Sequence, residues 1–155
     1  MSLKEQYLAI EKIVFKQITD LGGLIPYCFF ILIFLILGYD DIFLRLLISI
    51  IAIMIIAVAI KIFYFKKRPN KQKRSGNIVE KIDASSFPSI HSMRTISLVF
   101  WLSIFFDNII LTSYISVVGL LVIYSRIYLR KHYWSDVIFG MLFSLIINLA
   151  IWWVL

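Results

Sequence analysis

From Gly22 to Leu155 the chain divides into five apolar runs, each close to the roughly 20 residues a helix needs to cross about 30 Å of hydrocarbon. The runs cover residues 22–39, 42–65, 89–106, 109–128 and 135–155, about 100 positions in all. Little is left for a water-soluble domain. Hydrophobic side chains make up 61% of the 155 residues, against roughly 45–50% in an ordinary soluble domain, which excludes a soluble globule. Six glycines and three prolines without a period, with 16% aromatic residues, exclude collagen-like, low-complexity and disordered chains. The sequence therefore predicts an all-α integral-membrane helical bundle, a single domain over residues 1–155 with about five transmembrane helices.

Ahead of the first run, Leu3, Tyr7, Ile10, Val14, Ile18 and Leu21 recur at helical steps with Lys4, Glu5, Glu11, Lys12 and Lys16 between them. This pattern predicts an N-terminal amphipathic interfacial helix over residues 1–21; a helix packed on the bundle is the alternative. The segment lacks the short apolar core and small-residue cleavage site of a cleavable signal. Tight turns are expected at Asp40–Asp41 and Asp107–Asn108, and one long polar loop over 66–88. The lone Cys28 sits in an apolar run, where it reads as a small hydrophobe and has no cysteine to pair with.

Sixteen Lys/Arg against nine Asp/Glu give a charge of +7. In a soluble chain that excess would suggest nucleic acid as a partner; here it suits headgroups and cytoplasmic span ends, and no nucleic acid is expected. Five crossings put every basic residue but Arg45 on the side of the N-terminus, the long loop and the 125–134 junction. The positive-inside rule makes that side cytoplasmic, and the expected location is the cell membrane, multi-pass.

Ionisable residues at or within spans are costly and mark function. Lys61 and Arg68 are two helical turns apart and share a face if the helix continues past Phe65, with Pro69 closing it. Pro88 and Ser89 before an apolar helix are start signals, so Ser89 and His91 belong to its first turn, where free N–H groups favour an anion. Arg94 adds a cation one turn deeper. His132 and Asp136, four apart, allow the carboxylate to hold one ring nitrogen and leave the other free. Arg126 joins them only if the chain turns between Tyr128 and His132. Cations with oriented donors make a phosphate cradle, and an oriented histidine makes a nucleophile.

In these residues the chain resembles the type-2 phosphatidic acid phosphatase superfamily of membrane lipid phosphatases, related in core fold to vanadium haloperoxidases. Its Lys-x6-Arg-Pro motif is matched by Lys61, Arg68 and Pro69, and its Ser-Arg-x5-His-x3-Asp motif by Ser125, Arg126, His132 and Asp136. Its Pro-Ser-Gly-His motif reads Pro88-Ser89-Ile90-His91. The resemblance implies hydrolysis of a phosphomonoester or diphosphate without a metal or cofactor. His132 would form a phosphohistidine, Asp136 would orient it, and His91 would protonate the leaving group and later act as base. Lys61, Arg68, Ser89 and Arg126 would bind phosphate. The implied partners are membrane lipids and a lipid phosphate substrate of the polyprenyl diphosphate, phosphatidate or phosphatidylglycerol phosphate class; the sequence leaves the oligomeric state open.

Ile90 stands where the family has glycine and cannot readily adopt positive φ, so residue 90 is expected in right-handed helix with its side chain turned to lipid or a neighbouring helix. The motifs also fall one span earlier than in the usual six-span members, as if the interfacial segment replaced the first helix. A phosphotransferase with the same site, a catalytically silent lipid-binding relative and a transporter are the alternatives. A transporter would carry its ionisable residues in mid-span rather than at span ends.

Overall fold

The computed structural model describes residues 2–70 and 78–155, so the stretch 71–77 of the expected long loop lies outside the described residues. Among the described residues the elements are α1 (Leu3–Asp20), α2 (Leu24–Ile36), α3 (Asp40–Phe63), α4 (Ile78–Ala84), α5 (Ile90–Phe106), α6 (Ile109–Tyr128) and α7 (Trp134–Val154). The fold is all-helical, as the apolar runs predict. α3, α6 and α7 are each long and apolar enough to cross a bilayer. The other two expected spans are shorter. α2 has 13 residues, about 20 Å at 1.5 Å per residue, and reaches spanning length only together with α1, from which it bends by 40°. α5 has 17 residues.

The bend has a local cause. A side chain at Gly22 would meet Val122 Cγ1 at 2.7 Å and Thr95 Oγ1 at 2.8 Å, so glycine lets the α1–α2 corner press against α5 and α6. α1 itself starts at a Ser2–Glu5 capping box and lies along α6, with the Phe15 ring stacked on Tyr128 at 4.1 Å. Its outer face leaves Leu3, Tyr7, Ile10 and Ile13 exposed.

One turn and one helix end differ from expectation, while the turn at Asp107–Asn108 falls where the sequence predicts it. The acidic pair Asp40–Asp41 begins α3, where carboxylates complement the helix dipole, and the turn falls at 37–39 around Gly38, with φ 74°. α3 ends at Phe63 because Tyr64 is extended, so the second run does not continue as helix to 65. Between α5 and α6, Asp107 turns the chain in left-handed conformation, and Asn108 Oδ1 caps α6 through the Ile110 and Leu111 amides.

α5 is the central helix, packed against α2, α3, α6 and α7. Tyr27, Ile31, Phe34, Leu46 and Trp101 form one apolar cluster, and Ile53, Ala57, Met93 and Ile147 another. Between them lies a polar knot absent from the sequence reading. Asn148 Oδ1 accepts from Trp101 Nε1 (2.7 Å), Ser49 Oγ (2.8 Å) and Ser97 Oγ (2.9 Å). Its Nδ2 donates to Ser144 O (2.6 Å), and Tyr27 OH joins through Ser97 (2.9 Å). Four helices are tied in this way where water cannot compete.

Candidate active site

The chain brings the candidate side chains together at one end of the bundle, where α3, α5, α6 and α7 meet the loops at 64–70, 85–89 and 129–133. A cavity of about 390 Å³ opens there, lined by Lys61, Arg68, His91, Arg94, Arg126 and His132, with Ile90, Asp83 and Lys131 on its walls. The turn needed between Tyr128 and His132 is present. Arg130 takes φ 53°, and the amides of Lys131 and His132 both return to Arg126 O, at 3.0 and 3.2 Å. Arg126 and His132 thus line the same cavity from opposite ends of a five-residue corner.

Lys61 and Arg68 converge by a route other than a shared helix face, since α3 stops between them. Lys61 Nζ donates to Ser85 O (2.5 Å) and Ile82 O (3.3 Å), and Arg68 Nη2 to Asp83 O (2.5 Å). Both cations grip carbonyls of the last turn of α4 and of Ser85 just beyond it. An isolated antiparallel bridge between Lys67 and Ser85 and the bond from Ser86 N to Lys66 O (2.8 Å) pin the same segment. Arg126 Nη1 donates to Thr19 Oγ1 (2.8 Å), while its buried Nε has no partner among the described residues. Burial lowers the pKa of Arg68 and Lys131 from their ordinary values.

The histidine at 132 is held differently from the expectation. Its Nδ1 lies 2.7 Å from Ser86 O and 3.8 Å from Asp136 Oδ2. A carbonyl only accepts, so Nδ1 carries the proton and Nε2 keeps its lone pair, in a residue that lines the cavity. Asp136 stays beside the ring but takes its short hydrogen bonds from other donors. Its Oδ2 accepts from Tyr133 N (2.9 Å), the free amide at the start of α7, and its Oδ1 from Lys66 Nζ (2.5 Å). Burial holds the His132 imidazole down to about 4, with Arg126 and Arg68 adding to the effect and the pull of Asp136 opposing it.

His91 stands in the first turn of α5, as its position after Pro88 and Ser89 predicts. Arg94 Nη2 is 3.4 Å from its Nδ1. Arginine only donates, which puts the neutral ring's proton on Nε2. Ser89 is the N-cap of α5. Its Oγ takes Ser92 Oγ at 2.9 Å, its amide donates to Asp136 O at 3.0 Å, and it is not among the cavity-lining residues. Ile90 is right-handed helical, packs beside the Met93 cluster and forms part of the cavity wall. The close approach that glycine permits occurs at Gly140 instead, where a Cβ would meet Ser89 O at 2.8 Å. Neither Gly140 nor Lys66 stood out in the sequence: one lies within an apolar run and the other in a basic flank.

Among the described residues no three His, Cys, Asp or Glu side chains gather as a metal site would require. Beside the cationic cavity, a second one of about 230 Å³ between α2, α5 and α6 is almost wholly apolar, lined by Thr95, Leu98, Leu102, Gly119 and Val122 among others. Leu98 and Val122 lie one turn deeper than Arg94 and Arg126 on the same helices.

An all-helical membrane protein with histidines and clustered cations at a bundle end defines the class. The sequence matches the PAP2 superfamily model over residues 42–155, and the chain belongs to that superfamily. The fold is similar to that of LpxE from Aquifex aeolicus, whose crystal structure superposes with a TM-score of 0.75 at 22% identity, covering 92% of this chain and 85% of that one. No curated protein matches the chain.

Proposed function

We propose that the protein is a membrane lipid phosphate or diphosphate phosphatase acting through a phosphohistidine. The observation carrying this reading is the imidazole of His132, with Nδ1 held by Ser86 O, in a residue lining the cavity that Lys61, Arg68 and Arg126 also line. The three cations bind the phosphoryl oxygens and spread the charge of the transition state. His132 Nε2 attacks phosphorus, the bond to the lipid oxygen breaks, and His91, carried as the imidazolium when the anionic substrate is bound, gives this oxygen a proton and returns to the neutral ring. Water then attacks the phosphohistidine, His91 accepts its proton, and inorganic phosphate leaves. Ser89 serves this site by fixing the start of α5, and Asp136 by fixing the start of α7.

The hydrocarbon tail lies in the apolar cavity between α2, α5 and α6, one turn deeper than the cations that hold the headgroup. The chain crosses the membrane several times with the site at its cytoplasmic face, the reading that the basic asymmetry supports. The test is release of inorganic phosphate by purified protein from polyprenyl diphosphate, phosphatidate and phosphatidylglycerol phosphate, with chelator present. Release by the wild type, and its loss by at least about a thousandfold in His132→Ala, supports the proposal. Equal release by both would remove the mechanism, and no release from any of them would favour a silent lipid-binding relative.

A further inference from the structure

Lys66 lies outside the three motifs, yet it touches both partners that surround the nucleophile. Its main chain and its side chain act on different sides of His132. Lys66 O accepts from Ser86 N (2.8 Å), and the carbonyl of that same Ser86 is the acceptor for His132 Nδ1 at 2.7 Å. Its ammonium meanwhile donates to Asp136 Oδ1 (2.5 Å) and Ser135 Oγ (2.8 Å), and lies over the Tyr133 ring at 4.9 Å and near the Phe87 ring at 5.8 Å. The Asp136 carboxylate is fully buried, with Lys66 as its ion-pair partner, and its other oxygen stands 3.8 Å from His132 Nδ1.

We propose that Lys66 is a positioning residue for His132: it draws the Asp136 carboxylate off the imidazole, so that the Ser86 carbonyl, a neutral acceptor, holds Nδ1–H. This rests on the reading of His132 as nucleophile. A neutral acceptor fixes the tautomer without stabilising the imidazolium, whereas an uncompensated carboxylate 3–4 Å away favours protonation and takes up the lone pair that must attack phosphorus. The other charged groups facing the ring are Arg126 from α6 and Arg68 from the loop after α3, with Lys61 of α3, Asp83 of α4, His91 and Arg94 of α5 and Lys131 around the same cavity. The cations among them oppose protonation, Asp83 is paired with Arg68 at 4.0 Å, and Lys66 offsets Asp136, the acid beside the ring.

The chain has two histidines, so His91→Gln leaves a single imidazole whose titration can be followed by nitrogen-15 NMR in detergent micelles without any substrate. In that background Lys66→Met, which keeps the stem and removes the charge, is expected to raise the His132 titration midpoint by about one pH unit or more. Lys66→Arg is expected to restore it. In the chain with both histidines, Lys66→Met should move the acidic limb of the phosphate-release profile upward by the same amount and leave the alkaline plateau within about threefold. In an Asp136→Asn background the Lys66→Met shift should vanish. An unchanged His132 midpoint in Lys66→Met overturns the inference whether or not the protein turns over a lipid. A shifted midpoint with no His132-dependent release leaves the inference standing and removes the proposed reaction instead.

Discussion

Two buried polar clusters lie within one helical bundle and are built on opposite principles. Around Asn148 the polar groups of Ser49, Ser97, Trp101, Ser144 and Tyr27 satisfy one another without a net charge. At the cavity, cations gather beyond what the local acids neutralise, Arg126 Nε finds no partner among the described residues, and His132 is among the lining residues. A closed network holds helices together in an apolar medium; an open one of a single sign waits for an anion. Both are costly to bury, so saturation, rather than polarity, separates structural glue from a site.

The largest effect of breaking this contrast is expected at the open end. Arg126→Gln should lower phosphate release by about 10²–10³-fold, the usual loss for one group on a developing oxyanion, with the melting temperature in detergent as the check that the bundle survives. Next comes acidity. Because His132 is held down to about 4 from an ordinary 6.5, it stays neutral and nucleophilic well below pH 6.5, and the rate should fall about tenfold per pH unit only below 4. The same depressed value makes the folded chain bind fewer protons than the unfolded one between those limits. The contribution of His132 to stability is therefore complete above pH 6.5 and is lost as the pH falls through about 4, which thermal melts across that window will measure.

Gly140→Ala tests the contact between the two helix starts. The added methyl meets Ser89 O at 2.8 Å, and overpacking of this kind costs about 1–3 kcal/mol. It should lower stability and, by shifting His91 relative to His132, lower turnover by less than Arg126→Gln does. At the closed cluster, Asn148→Leu removes the acceptor of the Ser49 hydroxyl, while Trp101 Nε1 keeps Ser49 Oγ at 2.8 Å, a loss of about 1–3 kcal/mol readable as a lower melting temperature. Release per folded molecule should stay within about twofold of the wild type. A loss of turnover there without a loss of stability would erase the distinction between the clusters.

Much of this was legible along the chain. The long apolar runs announced α3, α6 and α7, and the spacing of Lys61, Arg68, Ser89, His91, Arg126, His132 and Asp136 named the side chains to watch. The partner of His132 was not legible. Four-residue spacing brings Asp136 near the ring, but α7 begins only at Trp134, and a carboxylate three residues into a helix is claimed by the helix's own free amides. Ser86 and Lys66 reach the same point from 46 and 70 residues away.

Composition and periodicity fixed the class of solvent, the helical architecture and the residue types able to hold phosphate, because those depend on transfer energy and on repeats within one segment. Which acceptor holds His132, which cation neutralises Asp136, and where α2 meets α5 were decided only in three dimensions. Each is a contact between segments far apart in the chain, selected by competition among several donors and acceptors whose outcome no local pattern encodes.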